Sequence, residues 1–312
     1  MSSDGGRPPR VPRPGRPLII EFIGTPGAGK TTLSNELIRL LQEEGIDAST
    51  IIGAARDHAF RTVVGRAVAW LAPPSLRAPL LWQVFYLLSM IHVLGFARKH
   101  YELCRQVLRT QLGRNVPVAA KRHALFWFFQ LVGRYDFLRA TAGDREAIVL
   151  DDGFLHRSVQ LHASHSEEPD SGRVWDYVDL LPRPDLVVFV VAGREVCERR
   201  IRRRGVWPHR QHLSPSDISR YVGNAEQVVE SAVRRARARR WSVVEIVNEG
   251  RPLEQLRSEL NSALTPLFGA LLADRPPEPE RSSGAAPIDS RGTRAGTTGQ
   301  GALDGASGGA TT

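Results

Sequence analysis

The stretch LIIEFIGTPGAGKTT, residues 18–32, decides how the rest of the chain is read. Its first half, Leu18–Ile23, is a short apolar run ending at a glycine, as expected of a buried strand. Glycines at 24, 27 and 29 break the run, and a helix-like stretch follows from Lys30 to Glu44, with Gly45 as its stop. Strand, glycine-rich turn and helix in immediate succession place the spacing G-x-x-x-x-G-K-[ST] on Gly24–Thr31. Glycines let backbone N–H groups converge on phosphate oxygens, and the helix N-terminus adds positive partial charge. Lys30 is placed to reach β- and γ-phosphates, and the Thr31 hydroxyl to ligate Mg²⁺. Gly24, Thr25, Pro26, Gly27, Ala28, Gly29, Lys30, Thr31 and Thr32 are therefore the candidate binding residues for a nucleoside triphosphate, ATP being expected with Mg²⁺.

Working outward, four more strands are expected: Ala48–Ile52, Ala147–Leu150, Leu186–Val191 and Trp241–Val247. Most of these runs are apolar at consecutive positions, the signature of parallel strands covered on both faces. Their alternation with helical stretches predicts an α/β fold, a three-layer doubly wound parallel five-stranded sheet of the P-loop NTPase type. A long helical insertion, residues 54–145, separates strands two and three. Inside it, Leu80–Ala97 has 18 residues without a formal charge, although Gln83, Ser89 and His92 interrupt it. It reads as a buried core helix, with a membrane-contacting helix as the alternative. The aromatic run Phe126–Phe129 is expected to pack against it. Residues 1–17 and 274–312 are rich in small residues and proline and poor in large apolar side chains. They bury too little surface to offset ordering entropy and are expected to be a disordered arm and tail around a domain at 18–273.

With 42% hydrophobic and 24% charged residues, the 312-residue chain has the composition of a globular protein. Two cysteines exclude a disulfide scaffold and a four-thiolate zinc site. The first 17 residues contain no apolar core of a signal peptide, so a cytoplasmic location is expected. The net charge of +9 is uneven: residues 194–240 hold thirteen arginines against five acidic residues. A single basic segment with little aromatic interleaving suits a local anionic ligand, and no nucleic-acid partner is expected.

Beside these residues, the chain resembles the nucleoside and nucleotide kinase branch of P-loop proteins, in particular thymidylate and adenylate kinases, over roughly residues 18–265. The loop FIGTPGAGKTTL is similar to that of adenylate kinases, and Val187–Gly205 to the fourth strand and following helix of thymidylate kinases. That helix leads into a lid with an R-I-x-x-R-G signature, which falls on Arg200–Gly205. The third segment, IVLDDGFLHRS, stands where the family has an acidic-arginine pair, but Asp152 occupies the arginine's place. Pro26 likewise stands near an aspartate of the thymidylate kinase loop. The resemblance implies the reaction type rather than the acceptor.

It implies an ATP-dependent small-molecule kinase with Lys30, Asp151, Asp152, Arg200 and Arg204 as catalytic residues. Asp151 would join Thr31 in holding Mg²⁺ through water, and Asp152 would be either the general base or a helix cap. Arg200 and Arg204 would stack on adenine or stabilise the transferring phosphoryl, and 205–216, with Arg210, would be a lid loop that excludes water. Asn248-Glu249-Gly250 occupies the usual place for base contacts.

Acceptor specificity is expected from the insertion. Arg56, Arg61 and Arg66 are candidates for an anionic acceptor, and Trp82, Tyr86, Trp127 and Tyr135 for stacking. The insertion's apolar length suggests a bulky or partly apolar small-molecule acceptor, or a homodimer interface. His156, His162 and His165 fit no zinc spacing and read as a polar loop. A regulatory ATPase without an acceptor is the alternative function. A GTPase is disfavoured because the chain has neither N-K-x-D after the last strand nor D-x-x-G after the third.

Overall fold

Leu18, Ile19, Ile20, Phe22 and Ile23 are all buried, because their strand forms the middle of a five-stranded parallel sheet. The computed structural model describes residues 16–114, 118–144, 146–205 and 213–273, apart from the side chains of 69, 74, 78, 82 and 266–273. Most of the expected arm, the tail, and lid residues 206–212 with Arg210 lie outside these residues.

The strands are β1 (Leu18–Gly24), β2 (Asp47–Thr50), β3 (Glu146–Leu150), β4 (Leu186–Val191) and β5 (Val243–Val247), in the order β2-β3-β1-β4-β5. Ile20 pairs with Val149 on one side and Leu186 on the other. Helix α1 (Lys30–Glu43) links β1 to β2. The insertion comprises α2 (Ile51–Arg61), α3 (Val63–Leu71), α4 (Pro74–Lys99), α5 (Tyr101–Gly113) and α6 (Val118–Thr141). Helices α7 (Phe154–His162) and α8 (Ser171–Leu180) precede β4, α9 (Arg194–Arg204) and α10 (Pro215–Ala238) precede β5, and α11 (Leu253–Ala273) follows it.

Parallel connections are right-handed, so the direction of each crossover decides its face. β1 to β2 runs one way across the sheet and the remaining crossovers run the other way, which puts α1 opposite the helices of the later connections. Helix α11 packs on α1, whereas α10 packs on α7 and α8. The result is the three-layer α/β P-loop fold.

Element edges differ from the sequence reading where side chains cap them. β2 stops at Thr50 because its side chain accepts the Gly53 N–H and starts α2 at Ile51. β5 begins at Val243, since Arg240 turns at φ 58° and the Trp241 N–H returns to Ala236 O. Helix α10 starts at Pro215, on a Ser214–Asp217 capping box.

A larger correction concerns α4. Phe85, Ser89 and Phe96, at helical spacing, are buried, and the helix packs on α6. Its outer face, Leu76, Leu80, Leu87, Met90, Ile91 and Leu94, is exposed. The stretch is a core helix on one side only: α6 is its main partner, with α2, α3 and α5 in lesser contact. Of the aromatic run, Phe128 is buried beside Phe154, whereas Phe126 is half exposed.

Candidate active site

The loop between β1 and α1 is shaped by two glycines with positive φ, Gly27 at 89° and Gly29 at 98°. Neither tolerates a side chain. A Cβ on Gly27 would lie 2.7 Å from Cys197 O, and one on Gly29 would lie 2.3 Å from Asn248 Nδ2. Gly29 also caps α1 with no side-chain hydrogen bond, so the first helical N–H groups are left to an anion.

The loop is held from behind. Arg200 Nη1 donates to Gly27 O (3.2 Å) and Ala28 O (3.1 Å), and its Nη2 donates to Asn248 O and Oδ1 (3.3 Å each). Asn248 Nδ2 donates to Ala28 O at 2.7 Å. Both side chains are thus engaged with backbone carbonyls of the loop. Arg200 and Asn248 here both brace the loop, whereas the resemblance implied direct nucleotide contact for Arg200 and the position of Asn248 suggested base contact.

Lys30 Nζ donates to Gly24 O (2.9 Å) and Thr25 O (3.3 Å), curled over the loop. Burial lowers its pKa to about 8, opposed by Asp152, Cys197 and Asp151 and reinforced by the Arg204 cation. The Arg204 cation is within electrostatic reach of Lys30, with its side chain exposed at the end of α9.

The C-terminal end of β3 presents two carboxylates in different settings. The Thr31 hydroxyl donates to Asp151 Oδ2 at 3.3 Å, at the solvent edge of the loop. Two adjacent oxygen ligands of this kind suit a hard cation such as Mg²⁺. Asp152 turns to the other side and pairs with Arg157 Nη2 at 2.8 Å, while His156 Nε2 lies 3.7 Å from Oδ1. Oδ1 is buried and has no hydrogen-bond partner among the described residues. Burial raises the Asp152 pKa, against the pull of Arg157 and Lys30. Gly153, not Asp152, is the N-cap of α7, and no side chain caps it.

Beyond Asp152 lies a polar cluster set among apolar residues of the insertion. Arg134 on α6 is buried with its guanidinium 5.3 Å from the Phe85 ring and its Nη2 donating to Gln130 Oε1 at 3.3 Å. Arg157 Nη1 donates to Gln160 Oε1. Burial, with the Arg157 cation, pulls the Arg134 pKa down. The Nε groups of both arginines are buried without a hydrogen-bond partner among the described residues.

Arg56, Arg61 and Arg66 are instead exposed, and Arg56 lies 3.6 Å from Asp57. Tyr135 is buried edge-on to Phe154, Tyr86 acts on Arg134, and Trp127 contacts Phe126 and His123. The Trp82 side chain lies outside the described ones. His156 and His162 sit in α7, not in a loop; burial lowers His162 to about 4 and His156 well below its usual range. Among the described residues no group of three histidine, cysteine or acidic side chains is placed to hold a metal.

Glu21 was not singled out from the sequence. It is buried in β1, and its Oε1 accepts the Leu155 N–H at the start of α7. Its signal was present, a lone carboxylate inside LIIEFI; that of Arg134 was a cation closing the apolar run FWFFQLVGR.

A separate cavity of about 310 Å³ lies at the opposite, N-terminal edge of the sheet. Arg16, Lys99, His100, Arg139 and Arg183 line it together with Asp136.

No family model and no curated protein matches the chain. Among solved structures it is similar to deoxyadenosine kinase from M. mycoides with bound dCTP: 12% identity, TM-score 0.37, 80% of this chain and 100% of that chain covered. The same enzyme with bound dATP gives 13% identity and TM-score 0.37 over 80% and 100% of the chains. With dCMP and dCDP bound, the values are 12% and 0.38 over 80% and 99%.

Proposed function

We propose that this chain is an ATP- and Mg²⁺-dependent phosphotransferase that moves the γ-phosphoryl group to a small acceptor bearing an anionic group and an apolar body. The observation that carries this reading is the division of labour at the end of β3. Asp151 faces Thr31 on the metal side, and Asp152 faces Arg157 on the insertion side. A pure hydrolase has no need of a second carboxylate aimed at a polar cluster.

In this reading the loop N–H groups and Lys30 hold the β- and γ-phosphates, and Arg204 adds positive charge opposite the negative charge of the transferring group. Thr31 and Asp151 would hold Mg²⁺, which supplies charge neutralisation between the phosphates. Asp152 takes the proton of the acceptor's nucleophilic oxygen through its unpartnered Oδ1, with Arg157 fixing its orientation. Arg134 and Arg157, two buried cations within electrostatic reach of each other, are stabilised together by an anionic group on the acceptor. Phe85, fully buried against Arg134, gives the cluster its apolar backing, and Tyr86 beside it is partly exposed. The setting is cytoplasmic.

The test is turnover with ATP and Mg²⁺ against nucleosides, nucleoside monophosphates, sugars, sugar phosphates and amino alcohols, read by mass spectrometry as gain of one phosphoryl group. Phosphorylation of an anionic acceptor, with its KM raised at least tenfold in Arg134→Gln, is expected. ATP hydrolysis with no acceptor modified across the panel would favour the regulatory ATPase.

A further inference from the structure

Among the described residues, none covers the outer face of α4. Leu76, Leu80, Leu87, Met90, Ile91 and Leu94 follow one another at helical spacing and are each exposed. At 1.5 Å per residue, Leu76 to Leu94 forms an apolar stripe about 27 Å long. Trp70 and Leu71, just before it in sequence at the end of α3, are also 82% and 71% exposed. Such a stripe far exceeds the scattered exposed leucines of an ordinary surface.

Charge says what covers it. From His58 to Tyr101 the chain contains Arg61, Arg66, Arg77, Arg98 and Lys99 and not one acidic residue. The stripe ends at Arg98, and Lys99 and His100 behind it line the basic cavity at the sheet edge. Two copies of this face would bring like charges together. An anionic lipid surface would accept the leucines into its acyl boundary and the cations among its headgroups.

The helix satisfies length and composition for a membrane span over Ser75–Lys99, but its inner face rules out crossing. Phe85 and Phe96 are fully buried, and Phe96 stacks on Phe154 of the core at 5.8 Å. A helix bound to the protein along one whole side lies flat, with only its other side in lipid.

We propose that α4 and the end of α3 dock the protein on the surface of an anionic phospholipid bilayer. The proposal is independent of the phosphotransferase reading, because it concerns the face of α4 turned away from Phe85 and Arg134. The orientation presents the insertion, and not the sheet, to the membrane.

The test is co-sedimentation of the full chain with phosphatidylcholine vesicles containing about 30 mol% phosphatidylglycerol, and with phosphatidylcholine alone. Binding to the anionic vesicles is expected, weakened by roughly tenfold or more as salt rises from about 0.1 to 0.5 M. A blue shift of tryptophan emission on binding is expected to be lost in Trp70→Phe. Leu87→Gln/Ile91→Gln/Leu94→Gln should lower the partition coefficient more than tenfold while circular dichroism and nucleotide binding stay unchanged. Should that variant fold poorly, Arg61→Glu/Arg66→Glu tests the charged half and is expected to lower anionic-vesicle binding alone. Three results would overturn the proposal: no binding to either vesicle, equal binding to both, or a dimer in light scattering that the triple variant dissociates while vesicles capture nothing.

Discussion

Replacing Glu21 by glutamine isolates a single buried proton. In the folded chain burial outweighs the Leu155 and His156 backbone N–H groups and pushes the Glu21 pKa from an ordinary 4.5 to about 8, with Asp152 adding to the rise and Arg157 opposing it. At pH 7 the side chain is therefore protonated by about ten to one. Between pH 4.5 and 8 the folded state binds a proton that the unfolded chain has released. Stability from this group is fully present below pH 4.5 and is lost as pH rises through 8. One proton corresponds to a slope of about 1.4 kcal/mol per pH unit, so moving from pH 5.5 to 7.5 costs on the order of 2–3 kcal/mol. Glutamine keeps an oxygen for the Leu155 N–H and cannot titrate. The assay is urea unfolding of both proteins at pH 5.5, 6.5 and 7.5, followed by circular dichroism. The stability of wild type minus that of Glu21→Gln is expected to fall steadily with pH, since other groups that titrate alike in both proteins cancel. Parallel profiles would refute the claim that Glu21 is neutral in the folded chain.

Lys30→Ala is expected to weaken ATP binding by roughly 100-fold or more, measured with a fluorescent nucleotide, while the melting temperature barely moves; an unchanged Kd would remove the phosphate-loop assignment. Asp152→Asn should lower kcat on the order of 100-fold with little change in nucleotide affinity, and a loss below a few-fold would show that Asp152 is not the base. Asn248→Ala removes one of two donors to Ala28 O and one of two acceptors of Arg200 Nη2, and a destabilisation of about 1 kcal/mol by urea unfolding is expected. Gly29→Ala meets both an unfavourable φ and the Asn248 amide, so its cost should shrink in the Asn248→Ala background; strict additivity would contradict the contact.

Much of the fold was legible because buried parallel strands leave uninterrupted apolar runs, as in LVVFVV, and the glycine-rich turn after LIIEFI leaves little choice of conformation. The strand order and the face of each crossover were not written locally; they emerge from pairing between distant segments. In the site, Thr31 and Asp151, 120 residues apart, meet as their types suggested. The role of Arg200 was hidden because α9 offers Arg199, Arg200, Arg202, Arg203 and Arg204 in succession, and only three-dimensional register selects the one that reaches the loop. Arg134 was obscured by its apolar neighbours, and the exposed side of α4 by the fact that both sides of that helix look alike in sequence.

The clamp behind the phosphate loop also bears on the order in which the chain is made. Gly27 and Ala28 leave the ribosome early, yet the groups that hold their carbonyls arrive 173 residues later with Arg200 and 220 residues later with Asn248. A nascent chain released before residue 248 has emerged carries the glycines without their support. The loop carbonyls gain their full set of donors only once Arg200 and Asn248, the latter just beyond β5, are in place. Truncations that stop short of β5 will therefore yield a protein that has its binding motif but not its binding site.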